Sequence, residues 1–204
     1  AAAQGDLLRL TDNGRESGLV PIREPLREAW NSLSDVREGQ AELRGPPCPF
    51  PLLNRALGGW IPGRLTVIGS WTNEGKSWLA AQIANHAGVP TAIFTPEMTK
   101  EQYALRLLAL RTNRAPSDLE VPRWAEGAVK DDDWHVVREA REGLERTPIY
   151  LCDRGLPDIL WIRAHLQALK SRKPKLAIAI LDYAQLASDR RFPHRDRRLV
   201  VGSI

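Results

Sequence analysis

Cysteine is scarce in this sequence, and no long hydrophobic run is present. The only two cysteines, Cys48 and Cys152, lie far apart, and neither belongs to a CxxC pair or to a histidine cluster. This pattern argues against a disulfide framework or a zinc site. No apolar stretch approaches the roughly 18–20 residues that a membrane-spanning helix needs, and no signal peptide is visible. We therefore expect a protein of a reducing compartment, the cytoplasm.

Neither sign of charge dominates the composition. With 29 basic and 25 acidic residues the net charge is +4, which is compatible with a polyanionic partner but does not require one. The 43% hydrophobic content is ordinary for a globular protein, and 204 residues are enough for one domain with an appendage. Methionine occurs once, at Met98, and the sequence begins with Ala1. We therefore expect a processed or truncated chain.

An amphipathic helix is predicted over residues 25–40. Leu26, Trp30, Leu33 and Val36 recur at spacings of four, three and three, which places them on one helix face. Pro25 suits the start of such a helix, because its missing N–H group would have no partner there in any case. Periodicity alone leaves open whether this apolar face packs on the chain's own core or on another molecule.

After a proline-rich linker between residues 46 and 51, apolar runs alternate with amphipathic segments. A short helix over 52–57 is stopped by Gly58 and Gly59. Strands that alternate with helices predict an α/β fold, with a mainly parallel sheet covered by helices on both faces. The predicted strands are 65–68, 92–94, 149–151 and 176–181, and the later predicted helices are 77–86, 100–112, 132–145 and 158–170.

A glycine-containing turn between the first predicted strand and the next helix has the composition of a phosphate-binding loop. In such a loop backbone N–H groups at a helix N-terminus point at the phosphates, a lysine reaches the β- and γ-phosphates, and a hydroxyl joins the Mg²⁺ shell. Gly75, Lys76 and Ser77 supply these groups, although Ser70 stands where the GxxxxGK[ST] pattern has glycine. The alternative is an incidental strand-turn-helix. The residues expected to contact the nucleotide are Ser70, Thr72, Asn73, Gly75, Lys76, Ser77 and Trp78.

Two acidic residues follow separate predicted strands. Asp182 ends the strand at 176–181, where P-loop ATPases place the carboxylate that orders Mg²⁺; taken alone, it is equally a turn residue. The next residue is Tyr183, so the base that activates water must come from elsewhere. Glu97 follows the strand at 92–94, and the carboxyl ends of parallel strands line one edge of a sheet. We therefore predict that Glu97 and Asp182 face the same phosphates. The alternative for Glu97 is a carboxylate near the N-terminus of the helix at 100–112.

Further polar residues follow the predicted magnesium strand. Gln185 is a candidate sensor of the γ-phosphate, and the alternative is an ordinary surface glutamine. Residues 189–198 are rich in arginine, and Arg190, Arg191 and Arg195 are candidates for contact with a nucleic-acid backbone. The alternative is a solvated basic loop.

Four stretches, in this order, resemble the C-terminal motor domain of DnaB-type replicative DNA helicases. They are 50–68 before the phosphate loop, 94–109 around Glu97, 131–134 with 147–153, and 180–186 around Asp182. The similarity spans about residues 18–204. This resemblance implies a RecA-like P-loop NTPase fold, in which a central, mainly parallel sheet is flanked by helices and preceded by a helical linker.

The same resemblance implies the chemistry and the partners. Lys76 and Ser77 would bind ATP with Mg²⁺, Glu97 would polarise the attacking water, Asp182 would order the metal shell, and Gln185 would relay the state of the γ-phosphate. The implied function is ATP-driven DNA unwinding in replication by a ring-shaped hexamer. Its implied partners are single-stranded DNA, a primase and a helicase loader, and its location is the replication fork or nucleoid.

The resemblance also implies a domain organisation. Residues 1–45 are expected to form a linker whose helix docks on an adjacent subunit, and residues 46–204 an ATPase core that is incomplete at its C-terminus. Because the family's arginine finger acts in trans from outside this region, we expect these 204 residues alone to bind nucleotide but to hydrolyse it poorly. Two other functions stay open: a RecA-like recombinase or regulatory ATPase, and a truncated assembly module that binds a helicase ring without hydrolysis.

Overall fold

The structure is a computed structural model that describes residues 20–38, 43–71, 74–119, 131–155 and 157–182. The internal contacts divide the chain into two compact units, Ala1–Glu42 and Leu43–Ile204. Within the described ranges no helix is both long and apolar enough to cross a membrane.

The first unit contains helix α1, Arg23–Arg37. The helix predicted over 25–40 is therefore present, with slightly earlier ends. Glu24 in its first turn and Arg37 in its last turn suit the direction of the helix dipole. Leu26, Trp30 and Leu33 are 60%, 67% and 60% exposed, so the predicted apolar stripe lies on the surface.

The second unit begins with a short helix, α2, Pro51–Leu57, that is fixed by local contacts. Gly58 ends the helix with a left-handed φ of 73°, and its N–H group donates to the carbonyl of Asn54. The side chain of Asn54 also holds the preceding loop, because it exchanges hydrogen bonds of 2.6 and 2.8 Å with the backbone of Cys48. The stop predicted at Gly58 is confirmed.

Residues 65–68 do not form the predicted strand. The segment has no regular secondary structure, and Leu65, Val67 and Ile68 are 60%, 63% and 43% exposed. A strand requires a neighbour that satisfies its backbone N–H and C=O groups, and none of the described strands pairs with this segment. The prediction is wrong for this structure because an apolar, strand-like composition cannot supply that neighbour.

Three short parallel strands form the sheet, in the order β2-β1-β3. They are β1, Thr91–Phe94, β2, Ile149–Cys152, and β3, Ile178–Leu181. Phe94 pairs with Cys152 on one side and with Leu181 on the other, so the carboxyl ends of all three strands lie in register at one edge. All four residues of the central strand β1 are buried. The remaining three predicted strands and their parallel arrangement are confirmed.

The predicted helices of this unit are also present, with ends that agree to within two residues. They are α3, Lys76–His86, α4, Lys100–Thr112, α5, Asp131–Glu145, and α6, Ile159–Arg172. A 3-10 helix at Pro116–Leu119 was not predicted.

Helices lie on both faces of the sheet. Successive side chains of a strand point to opposite faces. Ile93 of β1 packs with Ala81 and Ala84 of α3 and with Tyr103 and Leu107 of α4. The next residue, Phe94, contacts the ring of Trp161 in α6 edge-on, with 6.3 Å between the ring centroids. The core is therefore a sheet between α3 and α4 on one face and α6 on the other.

Candidate nucleotide-binding site

The ammonium group of Lys76 lies inside the turn that leads into α3. Its Nζ atom donates to the carbonyl oxygens of Ser70 and Trp71 at 3.0 and 2.6 Å, and it is 3.3 Å from the Ser70 hydroxyl. The loop is thus wrapped around a positive charge. Thr72 and Asn73, two of the residues predicted to contact nucleotide, lie outside the described residues.

Gly75 shapes the point at which the loop becomes a helix. It is the N-cap residue of α3, with φ 86° and ψ 20°, a left-handed conformation that residues with a Cβ atom rarely adopt. A glycine has no side chain that could cap the helix, so no N-cap side chain occupies the first N–H groups of α3, and a helix N-terminus of this kind suits an anionic ligand. This geometry is the one that the GKS pattern predicts.

Glu74 turns back onto the start of the same loop. Its carboxylate accepts a hydrogen bond of 3.2 Å from the N–H group of Trp71, whose side chain is 82% exposed. The loop therefore already holds one anionic group near its backbone amides. A phosphate that uses the Trp71 N–H group must displace this carboxylate.

Ser77 and Asp182 come together although they are 105 positions apart in the sequence. The hydroxyl of Ser77 donates to Oδ1 of Asp182 at 3.1 Å. Asp182 is only 6% exposed, and its N–H group donates to the carbonyl of Phe94, which ties the end of β3 to the end of β1. The structure thus places a hydroxyl and a carboxylate beside each other at the carboxyl edge of the sheet.

This pair has the chemistry of a magnesium site. Hydroxyl and carboxylate oxygens are hard ligands, and Mg²⁺ usually binds one or two protein oxygens while water and phosphate complete its shell. Among the described residues no group of three His, Cys, Asp or Glu side chains could hold a metal without such help. The residues present therefore fit Mg²⁺ that arrives with a nucleotide.

Glu97 lies near the same edge, at the end of the strand next to β3. It is exposed, and it follows β1 by three positions. The N-terminus of α4 is capped by Thr99 and Gln102, which form a reciprocal capping box with hydrogen bonds of 3.0 and 3.2 Å. Thr99 is therefore the N-cap residue, and the alternative for Glu97, a carboxylate near the N-terminus of this helix, stays open. The catalytic role stays a prediction.

The other predicted site residues divide into two groups. The side chain of Trp78 packs on the cluster formed by Ala109, Leu119 and Val137, so only its backbone can contact a phosphate. Gln185 and the candidate DNA-binding residues Arg190, Arg191 and Arg195 lie outside the described residues.

Two residues that the sequence reasoning missed lie beside Asp182. Thr95 and Tyr103 are 1% and 0% exposed, and Thr95 is next to Phe94, the hydrogen-bond partner of Asp182. Burial raises the pKa of Tyr103 well above its usual range, the Asp182 carboxylate raises this pKa further, and the Arg106 guanidinium lowers it. A polar residue directly after a buried strand was the only sequence signal for Thr95. Tyr103 had none.

A loop closed around a lysine, a helix N-terminus and a serine–aspartate pair at one sheet edge define a P-loop NTPase of the RecA-like class. The sequence profile of the DnaB-like helicase C terminal domain matches residues 45–204, and the chain belongs to this family.

Similar proteins are known from sequence and from structure. The chain is 31% identical over 193 residues to the replicative DNA helicase DnaB of Helicobacter pylori, covering 92% of this chain and 38% of that protein. It is 27% identical to the DnaB protein of Leifsonia xyli, covering 90% and 40%. The chain thus spans about two fifths of the length of these curated relatives.

Two solved structures share the fold. A DnaB-like replicative helicase, described with its interactions with primase, superimposes with a TM-score of 0.74 and 18% identity, covering 98% of this chain and 47% of that one. A second structure, an isolated ATPase domain, superimposes with a TM-score of 0.79 and 17% identity, covering 91% and 64%.

Proposed function

We propose that this chain is the motor domain of a ring-shaped, hexameric replicative DNA helicase, which couples ATP hydrolysis to DNA unwinding. The observation that carries the proposal is the contact between Ser77 and Asp182 beside the Lys76 loop, in a chain that belongs to the DnaB-like family. This arrangement suits a magnesium-bound triphosphate.

Each residue of the site has a distinct role in the proposed reaction. Lys76 exchanges its carbonyl partners for the β- and γ-phosphates, and the α3 N-terminus adds N–H donors. Ser77 and Asp182 order the Mg²⁺ shell. Glu97 orients the attacking water and takes its proton. Bound ATP with Mg²⁺ supplies the transferable phosphoryl group and the neutralisation of its charge.

The experiment that tests this function is nucleotide binding by the Lys76→Ala variant. We expect roughly 100-fold weaker binding of fluorescent ADP with Mg²⁺, because a contact between a charged donor and phosphates, worth about 3 kcal/mol, is lost. Lys170→Ala, at an exposed position of α6, is the control and should bind like the wild type. Equal affinity of the wild type and Lys76→Ala would refute the proposed site.

Measurements of nucleotide turnover and of assembly on DNA distinguish the other functions. A module that only assembles on a helicase ring would bind no nucleotide, or would bind it without any turnover even under single-turnover conditions. A recombinase would form filaments on DNA rather than closed rings. We propose weak hydrolysis by the chain alone, because an arginine finger that acts in trans typically contributes ~10³–10⁵ to turnover.

The partners and the domain organisation are parts of the same proposal. Residues 1–45 would form a linker that docks through α1 on an adjacent subunit, and residues 46–204 the ATPase core. Single-stranded DNA would contact Arg190, Arg191 and Arg195 in the central channel, and Gln185 would connect those contacts to the γ-phosphate. Primase and a loader are the proposed protein partners, at the replication fork in the cytoplasm. The structural relative described with primase supports that pairing.

A further inference from the structure

Three polar side-chain atoms are buried at the end of β1 and on α4, the helix that packs against β1. They are the hydroxyl oxygens of Thr95 and Tyr103 and the Nε atom of Arg106, and none of them has a hydrogen-bond partner among the described residues. Buried polar groups of native proteins are nearly always hydrogen-bonded, to protein or to ordered water. Three exceptions on neighbouring elements therefore call for a specific explanation.

Thr95 and Asp182 follow Ile93 and Ile180 by two positions, and both of these isoleucines pack in the hydrophobic cluster that contains Tyr103 of α4. Thr95 follows Phe94, whose carbonyl accepts from the N–H group of Asp182 at 2.9 Å. Tyr103 and Arg106 are three positions apart on α4, and therefore on the same helix face. Burial raises the pKa of Tyr103, and the nearby Asp182 carboxylate raises it further, whereas Arg106 lowers it. A tyrosine hydroxyl can donate one hydrogen bond, and an ionised carboxylate such as that of Asp182 can only accept.

The packing of Tyr103 places its ring between the elements that carry the site. The ring packs with Ala81 and Ala84 of the phosphate-loop helix α3 and with Ile93 of the central strand. Two alanines leave room for an aromatic ring between α3 and β1. The ring therefore contacts both the helix that carries Ser77 and the strand to which Asp182 is hydrogen-bonded.

We propose that Tyr103 is a positioning residue for Asp182. One water molecule is bound by the Tyr103 hydroxyl, the Thr95 hydroxyl and the Arg106 guanidinium, and this water holds the Asp182 carboxylate. The water would accept hydrogen bonds from Tyr103 and from Nε of Arg106, and would donate to Asp182 and to Thr95. Four polar partners satisfy the hydrogen-bonding capacity of a buried water. The inference rests on the proposed function, since it takes Asp182 to be the carboxylate that orders magnesium.

The consequence of this arrangement is a carboxylate that is held from two directions. Ser77 donates to its Oδ1 atom at 3.1 Å from the side of the loop. The proposed water would hold the same carboxylate from the side of Thr95, Tyr103 and Arg106. Groups that orient a metal ligand in this way commonly change metal affinity by about 10–100-fold when they are removed.

The test is the Mg²⁺ dependence of nucleotide binding by Tyr103→Phe, which keeps the ring and removes only the hydroxyl. We expect the Mg²⁺ concentration for half-maximal binding of fluorescent ADP to rise by about 10-fold, with no change in ADP affinity when metal is removed by chelation. Thr95→Val should have an effect in the same direction. Tyr150→Phe, which removes a hydroxyl from β2, is the matched control and should leave the Mg²⁺ midpoint unchanged.

A second measurement needs no nucleotide and separates this inference from the proposed function. Tyr103→Phe should lower the thermal unfolding midpoint by roughly 2–4 °C, and the loss should be smaller in an Asp182→Asn background, where the water has a weaker acceptor. A raised midpoint, as expected when a truly unpartnered hydroxyl is removed, or an unchanged Mg²⁺ midpoint, would overturn the inference. Failure of the wild type to bind nucleotide would instead refute the proposed function, and the thermal cycle would still decide the role of Tyr103.

Discussion

Glu97 follows the central strand at the carboxyl edge of the sheet, and its side chain is exposed. Thr99 and Gln102 form the capping box of α4, Asp153 accepts from the N–H group of Lys100 at 3.3 Å, and the buried strand β1 ends three residues before Glu97. A side chain in this position is anchored through its backbone and is exposed at its tip. These are the properties expected of a base that must reach a water molecule beside a bound phosphate.

Replacing Glu97 with Gln should separate binding from chemistry. We expect Glu97→Gln to bind ADP with Mg²⁺ to within about 3-fold of the wild type, but to lose roughly 10²–10⁴-fold of its ATP hydrolysis rate, the usual range for general base catalysis. Hydrolysis is measured under single-turnover conditions with the protein in excess. Glu101→Gln, in the first turn of α4, is the control. Unchanged hydrolysis in Glu97→Gln would exclude this residue as the base.

Single residues differ in how far the sequence predicts them. Lys76 and Ser77 belong to a motif whose spacing is set by phosphate geometry, and Asp182 follows from a strand of the right length downstream. The hydroxyls of Thr95 and Tyr103 belong to no motif. Their place beside Asp182 depends on which strands pair and on how α4 packs against α3. Local sequence patterns contain neither kind of information.

At the scale of elements, helix ends are well predicted because they depend on neighbouring residues. The cap at Thr99 and the left-handed Gly58 are each specified by a few adjacent residues. The segment 65–68 is the opposite case. Its composition is that of a strand, but a strand needs a partner that is distant in sequence, and propensity does not identify one.

The turn after α2 offers a test of local packing. Gly59 has φ 82°, and a Cβ atom there would lie 2.5 Å from the carbonyl oxygen of Gly45 and 2.8 Å from that of Pro46. Gly88 has a similar φ of 65° but open space around it. We expect Gly59→Ala to reduce the free energy of unfolding by about 2–4 kcal/mol and Gly88→Ala by about 1 kcal/mol, as judged from the cost of a left-handed residue and of backbone overlap.

Chemical denaturation with each variant measures this difference directly. Gly88→Ala is the matched control, because it places a Cβ atom at a similar left-handed φ without the steric contact. Equal losses in the two variants would mean that the turn at Gly59 rearranges freely, and that its close approach to Gly45 does not contribute to stability.

At the scale of the whole molecule, the apolar stripe of α1 is the feature that most needs a partner. Sequence periodicity left its partner open, and Leu26, Trp30 and Leu33 are exposed. Under the proposed function a second copy of the chain covers this stripe. A tryptophan in such a contact is the residue type that most often dominates the binding free energy.

Trp30→Ala should therefore weaken self-association. We expect light scattering in the presence of a non-hydrolysable ATP analogue to show assemblies of the wild type. For Trp30→Ala we expect the protein concentration at the association midpoint to rise at least 10-fold, which equals about 1.4 kcal/mol of association free energy. Trp134→Ala, in α5 and 46% exposed, is the control. A wild type that stays monomeric at every concentration would contradict docking through α1.

The arginine-rich segment gives a second prediction at this scale. Replacing Arg190, Arg191 and Arg195 together with Ala should reduce the slope of log affinity against log salt concentration for single-stranded DNA by about 2, since each phosphate contact contributes about 0.7. Fluorescence anisotropy across a salt series measures the slope. An equal loss of charge at exposed positions elsewhere, with Arg37, Arg138 and Arg172 replaced by Ala, should leave the slope unchanged.

The hydrogen bond between Ser77 and Asp182 joins two groups separated by 105 positions, most of the second unit. Contacts between such distant positions form late, after the intervening chain has closed its loops. The pair of Ser77 and Asp182 is therefore complete only when β3 has joined the sheet. Any ligand that binds this pair stabilises the folded state over the unfolded state by mass action. Nucleotide affinity in this protein thus also reports whether the polypeptide has finished folding.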